Sequence, residues 1–319
     1  MNKGSKIYVA GHRGLVGSAI LRRLAAEGYK NVVTRTHREL DLTDQRSVCD
    51  FFAQEQPEYV FLAAAKVGGI YANNTYPAEF IYENLVIQTN IIHESWKSNV
   101  KRLLFLGSSC IYPRDCPQPM KEEFLLTGPL ESTNRPYAVA KIAGIELCWA
   151  YNRQYGTDYL AVMPTNLYGL NDNYDLLGSH VIPALIRKTH EAKRDGLREI
   201  TVWGTGRPMR EFLYSDDLAD ACLFLMQRDD RIFKSITAQD KVPLLNVGYG
   251  EETSIGDLAH LIVDVVGFGG DLRFDTSKPD GTPRKLLDST TIRRLGWQPT
   301  AGLREGLVQT YRDYINRHP

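Results

Sequence analysis

The strongest constraint on this chain lies near its start, where the apolar run Ile7-Tyr8-Val9-Ala10 meets Gly11-His12-Arg13-Gly14-Leu15-Val16-Gly17. The apolar run reads as a buried strand. The amphipathic stretch from Leu15 to Glu27 reads as a crossover helix stopped by Gly28. Glycines at such a strand-to-helix turn permit a tight turn, close backbone approach to a bound pyrophosphate, and close helix–strand packing. The exposed N–H groups at the helix start, with the helix dipole, favour phosphate there. The spacing is G-x-x-G-x-x-G, not the G-x-G-x-x-G of ordinary dehydrogenases.

The same alternation continues. Asn31 to Thr34, Val60 to Ala63, Arg102 to Leu106 and Tyr159 to Met163 read as further strands. Pro77 to Ser98 and Tyr137 to Tyr155, the latter stopped by Gly156, read as helices. This predicts an α/β protein: a Rossmann-type doubly wound parallel sheet with a smaller, mixed α/β C-terminal substrate-binding domain. The expected division is residues 1–169 for the first domain and mainly 170–319 for the second. Asp216-Asp217-Leu218-Ala219 is expected to start a helix returning to the first domain, which also receives the segment around 212–248. Between Ile111 and Pro136 lie Pro113, Pro117, Pro119, Pro129 and Pro136, a long connection of the kind that serves substrate sites.

Composition narrows the function. The 319 residues carry 38 basic and 38 acidic side chains, which argues against nucleic acid or an anionic membrane surface as partner. No apolar run approaches the ~18 residues of a membrane span. The five cysteines are odd in number and lack a paired metal spacing, so reduced thiols in a cytoplasmic protein, with no metal, are expected.

Two further constellations carry chemistry. At the end of the second strand, Thr34-Arg35-Thr36-His37-Arg38 offers no carboxylate for ribose hydroxyls, whereas Arg35, with Arg13 in the glycine loop, suits a 2′-phosphate. NADP(H) is therefore the expected cofactor. Asp41-Leu42-Thr43-Asp44 is placed to border its adenine. Ser108, after a strand, precedes Tyr137 and Lys141, which lie four residues apart and so share a helix face. A tyrosine titrates near ~10. The neighbouring ammonium and an oxidised nicotinamide both favour its phenolate, and Ser108 can hydrogen-bond the same substrate oxygen.

Together with Leu62-Ala63-Ala64-Ala65 and Ser108-Ser109, these motifs resemble the extended short-chain dehydrogenase/reductase family. A closer resemblance, to its epimerase-reductases of GDP-linked keto-sugars, runs through Ala63 to Ile70, Gly107 to Pro113, Pro164 to Gly169, Ser179 to Pro183, Trp203 to Gly206, Met209 to Phe212 and Lys278-Pro279-Asp280-Gly281. It implies NADPH-dependent conversion of GDP-4-keto-6-deoxy-D-mannose to GDP-L-fucose, and a homodimer formed through the helices 77–98 and 137–155. It implies cofactor contacts at Gly11, His12, Arg13, Gly14, Leu15, Val16 and Gly17, then Arg35, Asp41 and Leu42. Further contacts fall at Ala63, Ala64, Ala65, Leu106, Gly107, Ser108 and Ser109, at Tyr137 and Lys141, and at Pro164, Thr165, Asn166, Leu167 and His180.

Related dehydratases place an acidic pair after the serine, where this chain has Ser109-Cys110. Dehydration lacks its acid and base here, and Cys110 offers a soft acid/base beside a ketone. The expected catalytic set is Ser108, Cys110, Tyr137, Lys141 and His180, with Cys110 as thiolate taking protons from C3 and C5 and His180 returning them. Lys188, Arg210 and Lys285 are cations for the diphosphate or sugar, Trp203 is a packing surface for the nucleotide, and Asp280 is a substrate contact by resemblance. His37 stands where relatives can carry an arginine for the 2′-phosphate. The competing readings are a UDP- or dTDP-sugar epimerase or reductase on the same fold, and a non-catalytic NADP-sensing protein. The retained Tyr137/Lys141 pair speaks against the second.

Overall fold

The computed structural model describes residues 1–176, 178–238, 240–278 and 280–318. From the N-terminus the chain forms β1 (Ile7–Ala10), α1 (Leu15–Ala26), β2 (Val32–Val33), α2 (Gln45–Glu55), β3 (Tyr59–Leu62), α3 (Ile70–Thr75), α4 (Pro77–Lys97), β4 (Arg102–Leu106), α5 (Arg135–Tyr155) and β5 (Tyr159–Pro164). Then follow β6 (Asn166–Tyr168), α6 (Val181–Arg194), β7 (Glu199–Trp203), β8 (Met209–Tyr214), α7 (Ser215–Met226), α8 (Asp230–Ile236) and β9 (Leu244–Val247). The last part comprises β10 (Glu252–Ser254), α9 (Ile255–Val266), β11 (Asp271–Asp275), β12 (Arg284–Lys285), α10 (Thr290–Arg294) and α11 (Leu303–Arg317).

Six parallel strands in the order β2-β1-β3-β4-β5-β9 make the main sheet. Its strands alternate between two cores. Ile7, Val9, Phe61 and Leu104 pack with Ile20 and Leu24 of α1 and Leu218 and Leu225 of α7. Tyr8, Val60, Leu103 and Phe105 pack on the opposite face with Phe52, Ile91 and Ile145. A sheet covered on both faces needs near-continuous apolar strands, which is why these runs stand out in the sequence. The chain turns outward in opposite directions from β1, so a crevice opens beyond the carboxyl ends of β1 and β3.

The second region is mixed. β8 is flanked by antiparallel β10 and parallel β12, with β6 also pairing β8, while β7 and β11 form a separate parallel pair. Helices α6, α9 and α11 share its apolar core. Helix α7 follows β8 directly and packs on α1, and β9 then enters the main sheet beside β5.

Several elements differ from the sequence expectation. Helix α5 starts at Arg135, because Pro136 fits the first turn, where its missing N–H costs nothing. Helix α2, capped by Asp44 through Arg46 N, and the short α3 were not anticipated. A 3-10 turn at Ser109–Ile111 leads into the proline-rich stretch, which contains two more, at Glu122–Phe124 and Ser132–Asn134. Its middle is held by a parallel bridge between Met120 and Leu287. Proline removes donors and isolated bridges leave no periodic pattern, so neither feature is visible in sequence.

The glycines at the two ends of α1 serve different purposes. A Cβ on Gly17 would overlap the Gly11 carbonyl, whereas Gly28 (φ +79°) has open space and needs only its left-handed backbone. Gly17→Ala is therefore expected to cost about 1–3 kcal/mol through backbone displacement, and Gly28→Ala only about 1 kcal/mol. Thermal melting of the two variants checks the order.

Candidate active site

A cavity of about 1330 Å³ lies over the carboxyl ends of β1, β3, β4 and β5. Gly11 (φ +81°) brings the β1–α1 turn so close to the β3 end that a Cβ there would stand 2.6 Å from Ala64 N. Gly14, Leu15, Val16 and Gly17 line the cavity, Gly14 gives α1 no side-chain cap, and the first turn of α1 holds no acidic residue. The first amides of a helix have no partner within it, so this end presents donors and positive potential to the cavity. A pyrophosphate fits this cradle in charge and in the room left by the missing side chains.

The β2 end supplies the next contacts. Arg35 lines the cavity, its guanidinium paired with Glu55 at 2.5 Å and lying 5.5 Å from the Phe51 ring centre. Asp41 and Leu42 also line it, with Asp41 accepting from Thr43 N and Oγ1 at 2.9 and 2.7 Å. His37 is on the wall as well, 3.9 Å from Asp41. Among the described lining residues His12, Arg13 and Asp44 are missing: Arg13 is exposed on the glycine turn, and the Asp44 carboxylate is used up capping α2.

Catalytic candidates converge deeper in the cavity. The α5 face that carries Tyr137 and Lys141 sits against the end of β4. Lys141 is 3% exposed and donates to the Leu106 carbonyl at 2.8 Å. Its Nζ lies 5.8 Å from the Tyr137 ring centre. Burial pulls the Lys141 ammonium down to about 8. Tyr137 packs edge-on against Phe80 at 6.2 Å. Burial and then the Cys110 thiol push the Tyr137 phenol up, against a smaller downward pull from Ser108. Desolvation is the largest effect, so the phenol of the cofactor-free site rests protonated.

Cys110 follows β4 in the first 3-10 turn, its N–H 3.4 Å from Ser108 Oγ. It is 7% exposed. Burial raises its pKa, opposed by Ser108, Lys285 and Lys141. The resting form is thiol, so the thiolate of the expected reaction has to be formed by loss of a proton. His180 stands on the cavity wall just before α6, open to the cavity yet closely surrounded, and desolvation lowers its pKa. Its resting imidazole is neutral.

None of Cys110, Lys188, Trp203, Arg210, Asp280 and Lys285 is among the described lining residues of this cavity. The last five instead gather around β7, β8 and β12. Lys188 Nζ and Lys278 Nζ lie 5.3 and 5.7 Å from the exposed Trp203 ring. Arg210 and Lys285 are register partners on β8 and β12. Lys285 is near enough to Cys110 for each to influence the other's protonation. The Asp280 carboxylate is turned to Thr205, accepting from its N and Oγ1 at 2.8 and 2.7 Å. Pro279, in the same segment, lies outside the described residues.

Comparison with known proteins agrees with this geometry. Residues 7–237 match the NAD dependent epimerase/dehydratase family. The chain belongs to that family. It is 58% identical over 314 residues to GDP-L-fucose synthase 1 of Arabidopsis thaliana, covering 98% of this chain and 94% of that protein. It is 54% identical over 310 residues to GDP-L-fucose synthase of Escherichia coli (strain K12), covering 97% and 96%. A solved GDP-D-glycero-L-gluco-heptose synthase from Campylobacter jejuni, in the presence of NADPH, superposes with a TM-score of 0.92 at 39% identity over 99% of both chains.

For an epimerase/dehydratase family member, the sequence reading missed some of the cavity wall. Lys66 lines it and is held by Glu79 and Glu83, and the loop Asn171 to Asp175 borders the cavity too. The four-residue spacing of Glu79 and Glu83 on one helix was the available signal for the first. The loop left no periodic one.

The buried Lys141 yields a stability prediction with a definite sign. Its folded pKa of about 8 lies below the ordinary 10.5, so folding disfavours the charged form. That penalty, of order 3 kcal/mol, is full below pH 8 and fades as pH rises from about 8 to 10.5. Lys141→Met is expected to melt no lower than wild type at neutral pH, with its relative advantage shrinking through that window. Its turnover should fall at least ~100-fold. Melting curves against pH, with steady-state rates, check both.

Proposed function

We propose that this chain converts GDP-4-keto-6-deoxy-D-mannose to GDP-L-fucose by epimerisation at C3 and C5 followed by reduction at C4, with NADP(H) as cofactor. One observation carries the reading: a phenol, a buried ammonium and a serine hydroxyl meet at the end of β4 beside a thiol. The cradle formed by Gly11, Gly14 and Gly17 supports the pyrophosphate, and Arg35, with no carboxylate at the end of β2, supports the 2′-phosphate. When bound, the reduced nicotinamide supplies the hydride for C4.

The chain's own groups do the rest. Protons at C3 and C5 are acidified by the C4 ketone between them. Ser108 and Tyr137 donate hydrogen bonds to the C4 oxygen and stabilise the enolate as charge develops. Cys110 and His180 begin as thiol and imidazole. A proton moved from the first to the second yields thiolate and imidazolium, a base for one face of the sugar and an acid for the other. Lys285 and Lys141, both near Cys110, favour its thiolate. Tyr137, resting protonated, then gives its proton to the C4 oxygen, and Lys141 orients the ribose and assists the phenol. Lys188, Arg210 and Lys285 oppose the diphosphate charge, and Trp203 and Asp280 shape the nucleotide side.

The division into a cofactor domain, residues 1–169 with the segment around 212–248, and a substrate domain, mainly 170–319, is part of the same proposal. So is a cytoplasmic homodimer. The dimer is supported by the exposed Tyr82, Val139 and Tyr155 on α4 and α5, where Trp96 stacks on Tyr155 at 4.2 Å. No helix among the described residues is long and apolar enough to cross a membrane.

Incubation with the GDP-keto-sugar and NADPH in heavy water is expected to oxidise NADPH and give GDP-L-fucose deuterated at C3 and C5 by NMR. A product lacking deuterium, or no NADPH oxidation, contradicts the reading. Cys110→Ser should cut the exchange by ~100-fold or more, and undiminished exchange in that variant removes Cys110 from its role.

A further inference from the structure

Glu211 is a buried carboxylate that the reaction does not use. It sits on β8 beside Arg210 and is 0% exposed. Its Oε2 accepts from Leu287 N at 3.0 Å and its Oε1 from Gly250 N at 2.7 Å. Its backbone carbonyl accepts from Thr165 Oγ1 at 3.1 Å and Asn166 Nδ2 at 2.8 Å, both residues of the cofactor wall.

The segment that Glu211 grips is the one carrying Lys285. Leu286 N donates to Gln118 Oε1 at 2.9 Å, and Met120 N donates to Leu286 O at 2.7 Å. That segment is therefore fastened on one side to the proline-rich loop, which follows Cys110, and on the other to the Glu211 side chain. Only an acceptor-only group satisfies two converging N–H donors, one at each oxygen. A Gln in the same place must turn its NH₂ toward one of them and leave that donor without a partner.

We infer that Glu211 is a positioning residue that holds the Lys285 segment at its place beside Cys110 while its own backbone holds the cofactor wall. The inference rests on the proposed epimerisation, because it gives Lys285 a place in that site. Its mark is asymmetry: a side-chain change at Glu211 disturbs the sugar side and leaves the cofactor side, held by the backbone carbonyl, in place.

Glu211→Gln should leave NADPH affinity within about twofold of wild type, raise KM for the GDP-keto-sugar about tenfold, and slow deuterium exchange at C3 and C5 by a similar factor. In a Lys285→Met background the same substitution should add less than about twofold, since both act through one ammonium. Glu211→Asp keeps the charge but shortens the reach, and should show the same split at smaller size, which secures the test if the Gln variant does not fold. The inference is overturned by wild-type KM and exchange in Glu211→Gln, by effects that multiply in the double variant, or by NADPH affinity falling as far as the substrate's. A wild-type chain that exchanges no deuterium would overturn the reaction itself, a distinguishable result.

Discussion

The hydrogen bond from Lys141 Nζ to the Leu106 carbonyl, 2.8 Å long and almost fully buried, ties the middle of α5 to the last residue of β4. Four of the five catalytic candidates hang from those two elements. Tyr137 lies one turn before Lys141, and Ser108 lies two residues after Leu106, so a single contact sets how the phenol faces the hydroxyl. The same contact explains why a costly buried cation is tolerated. An ammonium beside a strand-end carbonyl is at least hydrogen-bonded, and the residual desolvation appears as the lowered pKa. Stability is given up locally where the site needs charge.

The site has two sides built by different means. The cofactor side is a product of the parallel sheet: its walls are strand ends and a helix start, and they need only small residues where backbones meet. The proposed sugar side is assembled from short strands and a proline-rich loop whose ends are far apart in sequence. Met120 paired with Leu287, and Glu211 gripping Leu287 and Gly250, close that distance. Cys110 stands where the sides join, reached by Ser108 and Lys141 from one and by Lys285 from the other.

This difference in construction decides what could be read from the sequence. Five of the six strands of the main sheet and the helices α1, α4 and α5 were legible, β9 being the exception, because a doubly covered sheet demands apolar runs, and α1 and α5 carry glycine stops. Tyr137, Lys141 and the glycine turn were legible through spacing within one element. Lys285 and Arg210 could be named as cations, but their register pairing on β8 and β12 leaves no local pattern. Glu211 stood out only as part of the Met209 to Phe212 resemblance, with no role of its own, because its partners are backbone amides of Leu287 and Gly250. Protonation states were the least legible. The phenol and the thiol both rest protonated because burial is the largest effect on each, exceeding for the thiol the pull of Lys285 and Lys141, and burial is not a property of spacing.

A chain with zero formal net charge can still present a strongly cationic surface to one ligand. Lys188, Arg210 and Lys285 all have pKa values lowered by burial, so each gives up hydration to hold its place. Desolvated cations gathered on one side interact more strongly with an arriving diphosphate than exposed ones, since less water screens them. Under the proposed function, a preference for a sugar that carries a diphosphate follows from these buried cations, and the even balance of the whole chain keeps that attraction local.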